Sequence, residues 1–315
     1  MAFILRDLGR QFGSRQPFIT TFEDDGLLPS DSPFRRAWSY AEPTVLGMAA
    51  ATMRLARDPY VIHTVPGILA ESGRSLLDFF SEIYALNVAV VFGDSATAWH
   101  AEQVLAVVHD LHFSAADQPD WFARQVGGAH DFSIGEPRLQ TAVVVAFASA
   151  IARAHQACGV LRDGAEAEQY CIDAGNSLGQ VARVSVHAPN LRKLHELGDL
   201  YMRVPLMGPE TLDEAGVPRL LNQLYGSELA PGVPFSTLAP RFTPLMWPED
   251  RDTHGITFTD SDQERFNDWA RKYAEKAGHH SMAASANGNV QFSDGEEVLD
   301  AGDFFTVSLG RVTYS

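Results

Sequence analysis

Three of the histidines, His100, His109 and His112, fall on one stretch of the chain. Imidazole is the commonest biological metal ligand and the usual proton acceptor near neutral pH. The apolar spacing predicts a helix over residues 96–112. At about 100° per residue, its apolar side is made by Ala101, Val104, Leu105, Val108 and Leu111. His112 falls near the middle of that stripe and His109 at its edge, so the two are neighbours at i and i+3. A histidine facing a core can bind haem iron axially, hold a metal together with a carboxylate, or sit neutral with its N–H on a carbonyl. Position alone leaves these open.

A second constellation lies on residues 75–92, SLLDFFSEIYALNVAVVF, the most apolar segment of the chain. Its length, with no internal Gly or Pro, predicts a buried helix. Asp78 and Glu82 stand four apart on it, among Leu77, Phe79, Phe80, Ile83 and Leu86. A carboxyl in such surroundings has a raised pKa and suits general acid or base work. The same spacing also describes the one solvated stripe of an otherwise buried helix. Other motifs are missing: no HExxH, CxxC, GxSxG or P-loop occurs, nor the paired ExxH of carboxylate-bridged di-iron bundles.

Elements must position these residues. A helix is expected to start near Pro43 and run through VLGMAAATMRLARDP, with Asp58-Pro59 ending it. Gly93-Asp94-Ser95 reads as a stop followed by a new N-cap. Residues 113–137 read as a loop-rich connection that contains His130. Helices are expected over 138–158, 164–182 and 189–203, the last with Pro189 in its first turn. His155 on the first of these and His187 before the last are weighed as packed or capping residues. Residues 205–250 are proline-rich, residues 260–278 form a charged amphipathic helix, and 283–315 carry β-prone pieces, VQF and FFTVSL, fit for a small hairpin. The chain divides into an N-terminal arm (1–30), a helical domain (31–250) and a C-terminal extension (251–315).

The chain has 315 residues, 45% hydrophobic and 20% charged, an ordinary composition for a large core. A formal net charge of −16 disfavours nucleic acid as a partner, because phosphates are repelled. Two cysteines, Cys158 and Cys171, are too few for a disulfide framework and read as reduced thiols. No apolar run is long enough for a signal peptide or a membrane span, so a cytoplasmic protein is expected.

Three stretches together resemble the MpaB-like and latex-clearing-protein-like family. They are SPFRRAW with VLGMAAATMRLARDPYV, then AVVFGDSATAWHAEQVLAVVH, then YCIDAGNSLGQVARVSVHAPNLRKLHELGDLYM, in the family's order over residues 31–202. The resemblance implies an all-α, globin-like multi-helix bundle, here with a loop-rich C-terminal extension. In its latex-clearing branch it implies haem b, with a proximal histidine after the aromatic-glycine turn. Counting from Phe92-Gly93 gives His109, with His112 for a slipped register. The family's arginine and threonine, four apart on the preceding helix, find that spacing in Arg74 and Asp78, although a count back from Gly93 lands on Phe79 and Ile83. The expected activity is an oxidoreductase or oxygenase acting on a small or medium-sized hydrophobic substrate with dioxygen or peroxide. Arg54 or Arg74 would contact a haem propionate or the oxidant. Two rival readings are a haem-free cyclase, isomerase or dehydratase using Asp78 and Glu82, and a non-catalytic binder of hydrophobic ligands. In the last, residues 205–250 serve as a lid or a homodimer contact.

Overall fold

Ala-rich apolar segments with helical spacing, punctuated by Pro, Gly and Asp, give a chain built of helices. The computed structural model describes residues 26–72, 86–87, 90–162, 164–201, 208–217, 228–230, 233–234, 239–276, 282–284, 290–293 and 298–299. Through residue 126 the described helices are α1 (Pro33–Trp38), α2 (Ala41–Leu55), α3 (Pro59–Ser72), α4 (Ser95–His109) and α5 (Asp120–Val126). They continue with α6 (Pro137–Ala157), α7 (Ala165–Val181), α8 (Leu191–Tyr201), α9 (Pro209–Glu214), α10 (Ala239–Phe242), α11 (Pro248–Thr253) and α12 (Asp260–Lys276). The fold is all-α. Short strands serve only as local clasps: β1 (His112–Phe113) with β2 (Phe132–Ser133), and β3 (Glu228–Ala230) with β4 (Val233–Pro234). Near the C-terminus β5 (Met282–Ala284), β6 (Val290–Ser293) and β7 (Val298–Leu299) form an antiparallel sheet. The VQF piece lies in β6, whereas FFTVSL lies outside the described residues.

Among the described elements, α2 and α6 share the most extensive contact. Both are rich in alanine on the facing sides, so their backbones approach closely. Gly47 marks the closest point: a Cβ there would lie 2.5 Å from Ile151 Cα and 2.8 Å from its nitrogen. Trp38, Leu46, Met53, Ile151, Tyr170 and Leu194 fill the core around this crossing. Each such side chain contributes about 1.5–3 kcal/mol by leaving water. α1 is fastened to α7 from within. Its N-cap Ser32 accepts from Arg35 N–H at 3.2 Å and donates to the buried Asp173 carboxylate.

The expected boundary at residue 250 falls inside this core. Phe266, Trp269, Ala270 and Tyr273, at i, i+3, i+4 and i+7 of α12, join the same cluster as α2 and α6. The Tyr273 hydroxyl donates to the buried Glu42 carboxylate of α2 at 3.1 Å. Cys158 and Cys171 are free and buried, and burial pushes both thiols up, Cys171 to about 12.

His155 is a core histidine. Nδ1 lies 2.8 Å from the Ile151 carbonyl, and Nε2 lies 2.7 Å from the Ala37 carbonyl and 3.2 Å from Thr44 Oγ1. Carbonyls on both sides favour the charged ring, but complete burial outweighs them and pushes its pKa down to about 4. A ring neutral when folded and readily protonated when unfolded contributes stability in full above pH 6.5, lost as the pH falls toward 4. That loss amounts to about 3 kcal/mol. Urea midpoints between pH 7 and 4.5 should fall accordingly, with a shallower pH slope in His155→Gln; an unchanged slope would remove His155 as the cause.

Gly47→Ala gives an independent check on the helix crossing. Alanine favours an isolated helix by about 1 kcal/mol over glycine, yet here its methyl meets the backbone of α6. The substitution should destabilise by about 1–3 kcal/mol, seen as a lower thermal midpoint. Unchanged or higher stability would mean that the helices are farther apart.

Candidate functional site

α4 begins as its sequence dictates. Asp94 caps it, its carboxylate accepting from Thr97 N–H at 2.9 Å. It stops at His109, not at His112, because the chain beyond turns into a hairpin. Gly135 N–H donates to the His109 carbonyl at 2.9 Å, and Ile134 N–H to that of Leu111 at 3.1 Å. His112 then pairs with Ser133 in the β1–β2 clasp and is exposed. The expected i, i+3 pair on one helical face is therefore corrected: His109 turns inward, and His112 has left the helix.

His109 is 7% exposed. Gly135 presses against it so closely that a Cβ there would lie 2.8 Å from His109 Cβ and 2.9 Å from its carbonyl oxygen. Burial lowers the His109 pKa, aided by Arg183, while Asp110 and a side-chain hydrogen bond with Gln140 pull the other way. Gln140 is itself fixed, its Nε2 donating to the Ile134 carbonyl at 2.7 Å. Its amide lies beside the imidazole. A neutral ring that donates one N–H to such a partner presents its other nitrogen as a lone-pair donor. A neutral His109 ring thus has one nitrogen lone pair that could be offered to a metal.

The same hairpin carries a nest of rings. Phe113 stacks on Phe132 with centroids 5.2 Å apart, and Phe122 and Phe132 are 5.5 Å apart. His63 of α3 lies among them, 4.7 Å from Phe122 and 5.4 Å from Phe113. Half-buried, its ring has a pKa lowered by desolvation. Tyr60 completes the nest, with its hydroxyl 3.0 Å from His130 Nε2. His130 Nδ1 lies 3.0 Å from the Gly128 carbonyl. A carbonyl only accepts, so Nδ1 carries the proton and the neutral ring's Nε2 accepts from Tyr60. Burial raises the Tyr60 pKa, against the pull of Arg138, whose guanidinium lies 5.1 Å from the Tyr60 ring centroid.

Asp58 sits beneath this pair. One oxygen caps α3, accepting from Tyr60 N–H at 2.9 Å and Val61 N–H at 3.3 Å. The other is buried 3.8 Å from Arg138, an ion pair without a hydrogen bond. Burial raises the Asp58 pKa; Arg138 and the two backbone N–H groups oppose it. Asp58-Pro59, expected only to end a helix, also starts the next. An aspartate N-cap followed by proline at N1 is the signal that was available for α3, and it would have brought Tyr60 and His63 onto one helix.

Arg54 is engaged elsewhere. Its guanidinium pairs with the fully buried Asp250 at 3.3 Å, beside Arg57 at 2.6 Å, and lies 4.5 Å from the Trp247 ring centroid. Its charge is thus directed at a carboxylate of the protein. Arg74, Asp78 and Glu82 lie outside the described residues, as do His279 and His280. His187 is exposed beside Ser185, 2.9 Å from its hydroxyl. Among the described residues, no three His, Cys, Asp or Glu side chains are grouped to hold a metal ion, and no helix is long and apolar enough to cross a membrane.

Asp250→Asn would leave Arg54 and Arg57 facing a neutral amide in a buried site. Loss of one partner of a buried ion pair costs about 3–5 kcal/mol, so the thermal midpoint should drop by several degrees. A drop no larger than that of the exposed Asp252→Asn would show that the pair is not dry. No protein-family model matches the chain, and neither a curated protein nor a solved structure matches it.

Proposed function

We propose that the protein is a haem-dependent oxidoreductase that acts on a small or medium-sized hydrophobic substrate with dioxygen or peroxide. The observation that supports this reading is the setting of His109: inward-facing, kept neutral by burial, and beside Gln140. Haem, when bound, supplies a redox-active iron for activating the oxidant. His109 would hold the iron through one ring nitrogen, with Gln140 beside the ring and Gly135 fixing its distance from the hairpin. Arg74 would contact a propionate or the oxidant, a role that rests on its spacing from Asp78 alone. The reading carries with it a cytoplasmic location.

The test is the absorption spectrum of protein produced with ample haem. A Soret band is expected, abolished in His109→Ala and shifted in Gln140→Ala. No band in the wild type, with no change of activity in His109→Ala, would overturn the proposal. Activity that survives removal of iron would instead favour acid–base chemistry. The raised carboxyl of Asp58 beside the Tyr60–His130 pair would then be the place to look.

A further inference from the structure

The densest gathering of charge among the described residues lies apart from His109, where α2, α6 and α11 meet. Asp250 accepts from Arg57 and Arg54, so one buried carboxylate already faces two guanidinium groups. Two further arginines stand beside them. Arg153 of α6 lies 4.8 Å from the centroid of the Trp247 ring, the same indole that Arg54 approaches at 4.5 Å. It is half-buried and makes no hydrogen bond or ion pair among the described residues. Arg251 donates to the Thr243 carbonyl at 3.3 Å and lies 4.0 Å from the Phe258 centroid, again with no carboxylate. The neighbouring Glu249 and Asp252 are exposed and pair with neither. His254 donates to the Met53 carbonyl at 2.8 Å, which leaves its buried Nδ1 without a partner.

Four guanidinium groups around one buried carboxylate are an unusual concentration in a chain of net charge −16. Each guanidinium carries five N–H donors in a planar fork, and Arg153 uses none on the described residues. Its burial and the repulsion of Arg251 and Arg54 both work against its charge. An anion seated there would relieve that repulsion and take up the idle donors.

We propose that Arg153, over the Trp247 ring, and Arg251, over Phe258, form a binding site for an oxyanion, the phosphate or carboxylate group of a ligand. Asp250 keeps Arg54 and Arg57 directed inward and so leaves Arg153 as the principal donor. Arg251 adds charge and a second fork. This site does not depend on the reading of His109, and its test does not use the spectrum of bound haem.

The full-length protein should be titrated calorimetrically with inorganic phosphate and, separately, with succinate, at constant ionic strength set by sodium chloride. Saturable binding of either is expected. Tighter phosphate binding assigns the site to a phosphate group, tighter succinate binding to a carboxylate. Arg153→Gln should raise the Kd at least about tenfold, and Arg153→Lys should restore part of the affinity. Circular dichroism establishes that the variants are folded, and Arg251→Gln should weaken binding in the same direction. Heats no greater than those of added chloride, or equal affinity in Arg153→Gln, would overturn the proposal.

Discussion

The close approach of α2 and α6 at Gly47 and Ile151 governs the rest of the molecule. With a glycine at the contact and alanines around it, two backbones come near enough that the remaining helices must wrap this pair. α8 lies against α6, α7 adds to its flank, and α12 reaches the cluster from the C-terminal side. The same proximity brings the Ala37 carbonyl and Thr44 within reach of His155. Wider spacing would leave that imidazole with unmet polar needs in an apolar interior. A small residue at one position thus permits both the dense packing and the polar contacts of His155 at its centre.

Much of the fold was legible in the sequence. Pro137–Ala157 and Ala165–Val181 fall within a residue of expectation, because long apolar periodicity and flanking Gly or Pro agree there. Asp94 caps α4 as its place after Gly93 suggests. Pro189 precedes the last of the expected helices: Asn190 caps it through Lys193 N–H, so the proline lies just outside the first turn. The helix expected over 260–278 is amphipathic as its spacing suggests: four aromatic or small residues on one stripe carry α12 into the core despite its charge.

The candidate site was less legible. His109 was found by counting from Phe92-Gly93, and it does face inward. The end of its helix was not found, because what stops α4 is pairing with residues more than twenty positions later. Helical periodicity continues through Leu111 and His112 and carries no trace of that partner. Asp250 and Arg138 were not singled out, and Asp58 was read only as a helix end, for a related reason. Each is a charge made significant by burial among distant residues, and single-sequence spacing does not report burial of that kind.

The hairpin that ends α4 also separates two kinds of sequence change. Between Phe113 and Phe132 the chain leaves the clasp, forms α5 and returns in register. Length can vary within that excursion while the clasp still closes on the same pairs. From His109 to Phe113 there is no such latitude: one inserted residue would move Leu111 off Ile134 and turn the imidazole away from Gln140. A change of length in the excursion must therefore spare Phe122 and His130, which meet Tyr60, whereas the five residues on its near side must keep their number.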